Sequence, residues 1–483
     1  MKYINNNMKR RLFTKSSAVA GAAGSLVASI LLFPGFLLAQ AGKGQAAASL
    51  QAVSILKNIH APTFKNRQYD ILAAGAVADG KTSIQPVLDS LITLCSNEGG
   101  GSIIIPKGNY YIAGPVVLKS HVNLHLDEGA TLTFSSDPAD YLPAVLSKWE
   151  GTELFNYSPF VYAYQCSDIA VTGKGMLNGN AGKSFATWRP QGSAAQNQLR
   201  QMGSDGTPVY KRVFGQDAHL PPAMIEFIGC KNVLIDGISI TDAPYWVIHP
   251  VYCNNVTVRH VTINSLNLNN DGCDPESSTN VLIENCNFTV GDDAIAIKAG
   301  RDRDAWRIGQ PTENVLIRNC TFTSKTNGLC IGSEMSGGVR NVYMENINIH
   351  HCYSAIYFKS NQDRGGYIEN IYVQNIRCDS ARSACIRFEN NYHGSRGGHY
   401  PTLFRHFFID HVYCRRSGEV GIYSVGIEGK DITDVAIRNV QISRTLKPQI
   451  LQHVKNFIYS KVMINGTEVH PAFTKGSVKL ETD

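Results

Sequence analysis

Residues 278–288 read STNVLIENCNF, and residues 312–322 read TENVLIRNCTF. Each is one unit: an Asn, a short strand of period two, a polar pair with a second Asn, and a second short strand ending in Phe. Working outward, CKNVLIDGISI (230–240), CNNVTVRHVTI (253–263), VRNVYMENINI (339–349) and IENIYVQNIRC (368–378) are variants of it. RHFFIDHVYC (405–414) and ITDVAIRNVQI (432–442) continue the series, while SHVNLHLDEGATL (120–132) and CSDIAVTGKGML (166–177) precede it. A period of two excludes helical repeats, and no Leu lattice or propeller blade signature accompanies it.

Strand units recurring at intervals in the twenties and thirties describe a solenoid whose connecting loops vary. The expected fold is all-β: a single-stranded, right-handed parallel β-helix of about ten coils. Coils stack at about 4.8 Å, so one sequence position repeated on successive coils becomes a ladder. Val, Ile, Leu and Cys then point inward, and the recurring Asn satisfies backbone groups at the bends. Residues 83–97 have helical periodicity and are placed as an N-terminal cap on the open core. The expected catalytic domain is 67–483, interrupted by an irregular stretch at 179–222 that is either a surface insertion or a wall around a cleft, with Trp188 and Arg189 as contacts in the second case.

The formal charge of +6 is concentrated at one end. Lys2, Lys9, Arg10, Arg11 and Lys15 lie in the first 41 residues, which hold no acid, so the remainder is close to neutral and no nucleic-acid partner is implied. Those residues have the form of an export signal: the basic MKRRLFTKSS, an apolar run from Ala18 to Ala39, and a small-x-small site at Ala39-Gln40-Ala41. Arg10-Arg11-Leu12-Phe13 has the twin-arginine form. Cleavage leaves no stable membrane insertion, and the mature chain is placed in the periplasm or outside the cell as a monomer. Residues 42–66 are read as a flexible tether. The twelve cysteines fall mostly in strand-like runs, as stacked free thiols rather than a disulfide framework, and no zinc spacing is present.

The chemistry-bearing residues lie on both sides of the quoted strand. Asp271 stands in NNDGCDP, and Asp292-Asp293 in GDDAIAIKAG, about twenty residues further on, close to one coil. The three carboxyls are expected on neighbouring rungs of one outward face, with Gly291 supplying the bend that turns both acids of the pair the same way. Crowded carboxyls raise the proton affinity of at least one of them. A protonated acid beside an ionised one is what glycoside hydrolysis requires. The rival readings are a calcium cage, a polysaccharide lyase using a Lys or Arg base, and a non-catalytic carbohydrate-binding solenoid.

At these residues the chain resembles the polygalacturonases, glycoside hydrolase family 28. NNDGCDP is similar to the family's N-T-D-G-[IV]-D segment and GDDAIAIKAG to its G-D-D-x-[IVA]-A-[IL]-K segment. GAVADGKT, GGGSIIIPKGNYYIAGPVVLKS and APYWVIHPVYC also match, so the likeness spans about 69–445. It implies a pectin-lyase-like solenoid and an inverting hydrolase of galacturonic-acid linkages in pectic polysaccharide or oligogalacturonides, without metal or cofactor. It assigns Asp292 as general acid and Asp271 and Asp293 as the carboxylates that activate water, spaced about 6.5–9.5 Å from the acid.

Two motifs depart from the family. G-H-G is replaced by Thr326-Asn327-Gly328 and R-I-K by Tyr357-Phe358-Lys359. Asn327 hydrogen-bonds without carrying charge, and Tyr357 offers a stacking face in place of a fork of donors. These changes favour exo or galacturonidase action, or a rhamnogalacturonan-directed enzyme, over endo cleavage. Lys359, Asn327, Tyr357, Arg301 and His249 are the expected substrate-binding residues, His249 through its place one coil before Asp271. Lys298 is a further candidate, Glu334 is read as structural, and Arg364, Arg387, Tyr392 and Arg396 as extensions of the binding surface.

Overall fold

The structure, a computed structural model, describes residues 51–473. The expected export signal and the first part of the expected tether lie outside them.

One column of paired residues sets the architecture. Tyr69, Ile103, Leu124, Val171, Ile235, Val258, Ile283, Ile317, Met344, Val373, Ile409, Ile437 and Tyr459 follow one another in parallel register. The chain is a right-handed parallel β-helix, and this column has more rungs than the ten or so coils read from the repeat. The difference lies at both ends: strands Gln68–Asp70 and Gly101–Ile105 stack in register but lack the Asn-Val-x-Ile pattern, and Val454–Ile464 adds a rung after the last unit read. Each inward Val or Ile is fully buried, worth about 1.5–3 kcal/mol apiece. All twelve cysteines are free and buried, Cys95 on the capping helix and the others on the coils.

The Asn of the repeat does two things. Asn232, Asn255, Asn280, Asn314, Asn341 and Asn370 all have φ between 55° and 58° or slightly above, up to 63°, the left-handed bend that Asn tolerates better than most residues. Their amides also bond from coil to coil: Asn341 Nδ2 donates to Asn314 Oδ1 at 3.2 Å, and Asn314 Nδ2 to Asn280 Oδ1 at 3.2 Å. A buried or half-buried bend is thereby satisfied by its own neighbour.

The helix Gln85–Asn97 caps the N-terminal end, burying Leu88, Ile92 and Cys95 over the first coils, as its periodicity indicates. Residues 51–57, within the expected tether, are instead helical. Ile55 packs on the outward Leu282, Leu316 and Tyr343, and His60 exchanges backbone hydrogen bonds with the Asn255 amide at 3.0 and 2.8 Å. The apolar positions Ala52, Ile55, Leu56 and Ile59 share one helical face, which explains the docking.

Two excursions from the solenoid shape the site. The antiparallel hairpin Val145–Trp149 and Thr152–Asn156 has no counterpart in the repeat. The stretch 179–222 is ordered around the helix Ser193–Asp205, whose Gln196, Leu199 and Gly203 are buried. Leu199 packs with Trp149 and Leu154 of the hairpin and with Tyr245 and Trp246 of the solenoid. No helix among the described residues is long and apolar enough to cross a membrane.

Candidate active site

The strand column next to the core carries the acids. Cys273 bridges Ile248 on one side and Ile295 on the other, and Ile295 pairs Leu329. Asp271, Asp293 and Asn327 each stand two residues before a member of this column, so they occupy equivalent places on three consecutive coils. The backbone agrees: Gly272 N donates to Asp293 O at 2.9 Å and Ala294 N to Asn327 O at 2.8 Å. Asp271 is therefore in register with Asp293, whereas Asp292 follows Asn270, whose carbonyl accepts from Asp292 N at 3.1 Å.

Gly291 makes this possible by close approach. A Cβ there would meet Asn267 O at 1.9 Å and Leu266 C at 2.7 Å. Without a side chain the strand presses against the preceding turn, and Asp292 and Asp293 both reach one pocket. One oxygen from each of Asp271, Asp292 and Asp293 lies within 4.8 Å of the others. That is closer than the spacing expected for an inverting pair. A water with hydrogen bonds of about 2.8 Å still bridges two oxygens as far as about 5.6 Å apart. The acids are also less exposed than an outward groove implies, with Asp271 and Asp293 buried at the pocket floor.

Their surroundings hold protons differently. Burial, then the nearby Asp293, raises the Asp292 carboxyl above the usual range. Its Oδ1 accepts from Thr326 Oγ1 at 2.8 Å and its own neighbour's N–H, and Oδ2 from Asn269 Nδ2 at 3.2 Å. Burial acts on Asp293 in the same direction, but Lys359 and then Lys298 overcome it and hold the carboxyl at about 2. Lys359 Nζ donates to Asp293 Oδ2 at 2.9 Å, and Asn327 N and Nδ2 to Oδ1 at 3.1 and 2.6 Å. Asp271 is pushed up by burial, then by Asp274 and Asp292. Asp274 lies fully buried beside it, and burial raises it to about 8. The Asp274 oxygens and Asp271 Oδ1 find no donor, and a proton shared between the two carboxyls satisfies one oxygen of each. The patch thus sets one carboxyl that favours its ionised form beside others that hold a proton more tightly than usual.

Lys298 lies 3.7 Å from Asp271 and 3.2 Å from Glu334, over the Trp246 ring at 4.7 Å. Arg301 lines the pocket and is anchored by Glu334 at 2.6 Å and the Glu150 carbonyl at 2.8 Å. Lys359 and Tyr392 line it too, the ammonium 5.1 Å from the Tyr392 ring centre. Arg189, Arg364 and Arg396 also reach it. A cage of hard oxygen ligands is a poor description of this site: two ammonium groups already neutralise the acids, where a cation would have to compete.

Three expected substrate contacts are placed elsewhere. His249 is buried behind the floor, its Nδ1 3.1 Å from Glu226 and Nε2 2.8 Å from Glu276, with Lys148 2.9 Å from the same Glu276. Burial opposes its charge, but the two carboxylates raise the imidazole to about 9. It is an imidazolium locked between acids, not a cleft residue, because Ile248 bridges Cys273: His249 falls opposite Asp274 rather than Asp271, and it pairs Glu226 on the preceding rung. Tyr357 is buried, its hydroxyl donating to Glu389 and its ring 5.0 Å from the Arg387 guanidinium, so it presents no open face. Asn327 touches Asp293 rather than the pocket. Arg387 pairs with Glu389 at 3.0 Å, away from the pocket lining, and Trp188 packs in the core against Tyr157 and Phe185.

Glu150, Gln196 and Arg200, which no motif or repeat marks, meet in the pocket wall. Glu150 accepts from Arg189 at 2.9 Å, Gln196 at 2.8 Å, Arg200 at 2.6 Å and Tyr245 at 3.1 Å. Glu334, read as structural, proves to be the ionised counter-charge for Lys298 and Arg301: burial opposes the charge and those two cations hold it well below the usual range.

Comparison with known proteins gives concordant results. The model for glycosyl hydrolases family 28 matches residues 95–464. A probable polygalacturonase of Vitis vinifera is 27% identical over 394 residues, 77% of this chain and 74% of the relative. An exo-poly-alpha-D-galacturonosidase of Dickeya chrysanthemi is 26% identical over 400 residues, 75% of this chain and 65% of the relative. The solved structure of a hyperthermoactive exopolygalacturonase from Thermotoga maritima superposes with a TM-score of 0.84 at 36% identity, covering 87% of this chain and 96% of that one.

Proposed function

The chain belongs to glycosyl hydrolase family 28 and is a glycoside hydrolase, and from that footing we propose that it is an exported, exo-acting hydrolase of galacturonic-acid linkages in pectic chains. The observation that carries the chemistry is the patch in which Asp292 retains a proton while Asp293, within 4.8 Å, is held ionised by Lys359. Asp292 donates its proton to the glycosidic oxygen as the bond to the leaving sugar breaks. Asp293 takes a proton from the water that attacks the anomeric carbon, and Asp271 orients that water through its second oxygen. A single displacement of this kind inverts the anomeric configuration.

Two observations support action at a chain end. The pocket has a volume of about 370 Å³, near the lower end of ligand sites, and is walled by the hairpin, the helix Ser193–Asp205 and the loop around Tyr392. Two of the relatives named above are exo-acting. Lys298, Lys359 and five arginines line the pocket, which suits an acidic sugar. Export rests on the signal-like residues 1–41.

The test is incubation with galacturonan and with rhamnogalacturonan oligosaccharides, following product length and anomeric configuration by NMR. Release of single inverted galacturonate units from homogalacturonan is the expected result. Mid-chain fragments remove the exo assignment, a retained anomer removes the single displacement, and cleavage confined to rhamnose-containing chains moves the enzyme to that substrate. An unsaturated product absorbing in the ultraviolet would remove hydrolysis itself.

A further inference from the structure

One wall of the pocket holds more guanidinium groups than carboxylates to match them. Glu150 serves Arg189, Arg200 and Arg301 together, Glu334 serves both Arg301 and Lys298, and Asp302 serves Arg364 at 2.6 Å. Arg200 uses one nitrogen on Glu150 and leaves its buried Nε without a partner. The Arg396 side chain has no ion-pair or hydrogen-bond partner among the described residues, although it lines the same pocket. Burial, and then repulsion from Arg200, Arg301 and Arg364, lowers its affinity for its proton. Arg396 is exposed at the mouth of the pocket beside the partly buried guanidiniums of the wall, so an anion entering there meets several cations at once.

The local sequence builds this wall without help from the solenoid repeat. Gln196 and Arg200 stand one turn apart on the helix Ser193–Asp205, and both donate to Glu150, which fixes the helix over the pocket. Arg396 comes from the opposite loop, held by its backbone N–H on Asp363 at 2.9 Å. Neither contacts Asp271, Asp292 or Asp293, which are served by Lys298, Lys359, Asn327 and Thr326.

We infer that Arg200 and Arg396, with Arg189, form a carboxylate subsite that receives the acid group of the sugar at the non-reducing end of the substrate. It deepens the galacturonan reading above and rests on it. A planar guanidinium fork matches a carboxylate with two parallel donors, which a point-charge ammonium does not. The enzyme then reads a free terminal carboxyl in addition to cutting the linkage, so a methyl ester at that one position blocks it.

The test compares the full chain with its Arg396→Gln variant on trigalacturonate and on the same trimer methyl-esterified only at its non-reducing end. Loss of a charge-assisted contact costs the wild type about ten- to a hundredfold in kcat/KM on esterification. Arg396→Gln is expected to lose less than about threefold on the same change and to match the wild type on the ester, with Arg396→Lys restoring part of the discrimination. Full discrimination retained by Arg396→Gln, or an equal fall on both trimers, overturns the subsite. Calorimetry of trigalacturonate with an Asp292→Asn chain separates this from the parent reading. Binding without dependence on Arg396 sinks the subsite alone, and no binding or turnover of either trimer sinks both.

Discussion

Asn327 Nδ2 lies 2.6 Å from Asp293 Oδ1, one coil further along the same column. Where the family's motif has a histidine, this chain supports the proposed base with an amide that stays neutral at every pH. Asp293 also accepts from Asn327 N and from Lys359, and together these hold it at about 2. Removing the amide in Asn327→Ala raises the Asp293 carboxyl toward its ordinary value, so the acid side of the kcat–pH profile moves to higher pH. A fall of about tenfold in kcat, in line with loss of one bond to a charged group, is expected with melting temperature little changed. An unmoved acid limb would separate Asn327 from the base.

Asp292→Asn leaves the site unable to protonate the leaving oxygen. General acid catalysis is worth about 10² to 10⁴ in rate, and kcat should fall by that order while thermal unfolding is retained. On the proposed mechanism Asp292 must be protonated and Asp293 ionised. Activity therefore rises with pH through the Asp293 ionisation and falls as pH passes through the raised Asp292 ionisation. Measuring kcat against pH for wild type and Asp293→Asn checks the assignment, because an acid limb that survives in the variant belongs to another group.

Lys359 bonds to Asp293, the proposed base, so its loss is expected in kcat as well as in substrate affinity. Its ammonium is 2.9 Å from Asp293 Oδ2, and it is the largest favourable charge acting on that carboxyl. Lys359→Met should lower kcat about ten- to a hundredfold and raise the acid limb. A rise in KM alone would make it a substrate anchor and nothing more.

The fold was legible because one short unit is repeated with its Asn in a fixed place, and that Asn marks both a left-handed bend and a ladder. Asp271, Asp292 and Asp293 were legible for the same reason, since a solenoid turns sequence spacing into adjacency. What escaped is what the solenoid does not encode. Glu150 and Arg200 come from excursions without a repeat, and their meeting depends on how the helix Ser193–Asp205 packs through Leu199 on Trp149 and Tyr245. Register was the second limit: a spacing of about one coil put His249 level with Asp271, whereas Ile248 bridges Cys273 and sets His249 opposite Asp274. A carboxylate at Glu226 on the rung before and another at Glu276 drew it inward.

His249 therefore reports on stability. Its folded-state value of about 9 lies above the ordinary 6.5, so its contribution is fully present below about pH 6.5 and disappears as pH rises through about 9. His249→Leu leaves Glu226 buried without its cation and should cost about 3–5 kcal/mol near neutral pH. Denaturant unfolding at pH 6 and pH 10 checks the sign, since the gap between wild type and variant must narrow at the higher pH. A constant gap would assign the loss to packing against Trp246 instead.

Gly291 links backbone to catalysis most directly. Its neighbours leave no room for a methyl group: a Cβ would stand 1.9 Å from Asn267 O and 2.8 Å from Leu266 O, and both obstacles are main chain, which cannot rotate away. Gly291→Ala must push the strand off the preceding turn, and the residues that move first are Asp292 and Asp293. Overpacking of this kind costs about 1–3 kcal/mol of stability. The larger effect falls on rate, because a shift of about 1 Å in a reacting group costs on the order of 10²-fold. The displacement separates Asp293 from Lys359 and Asn327, so the acid limb should rise in this variant too, although no titrating group has been changed. Full activity in Gly291→Ala, at a melting temperature within a degree or so of wild type, would mean that the turn carrying the two acids is less tightly set than these contacts require.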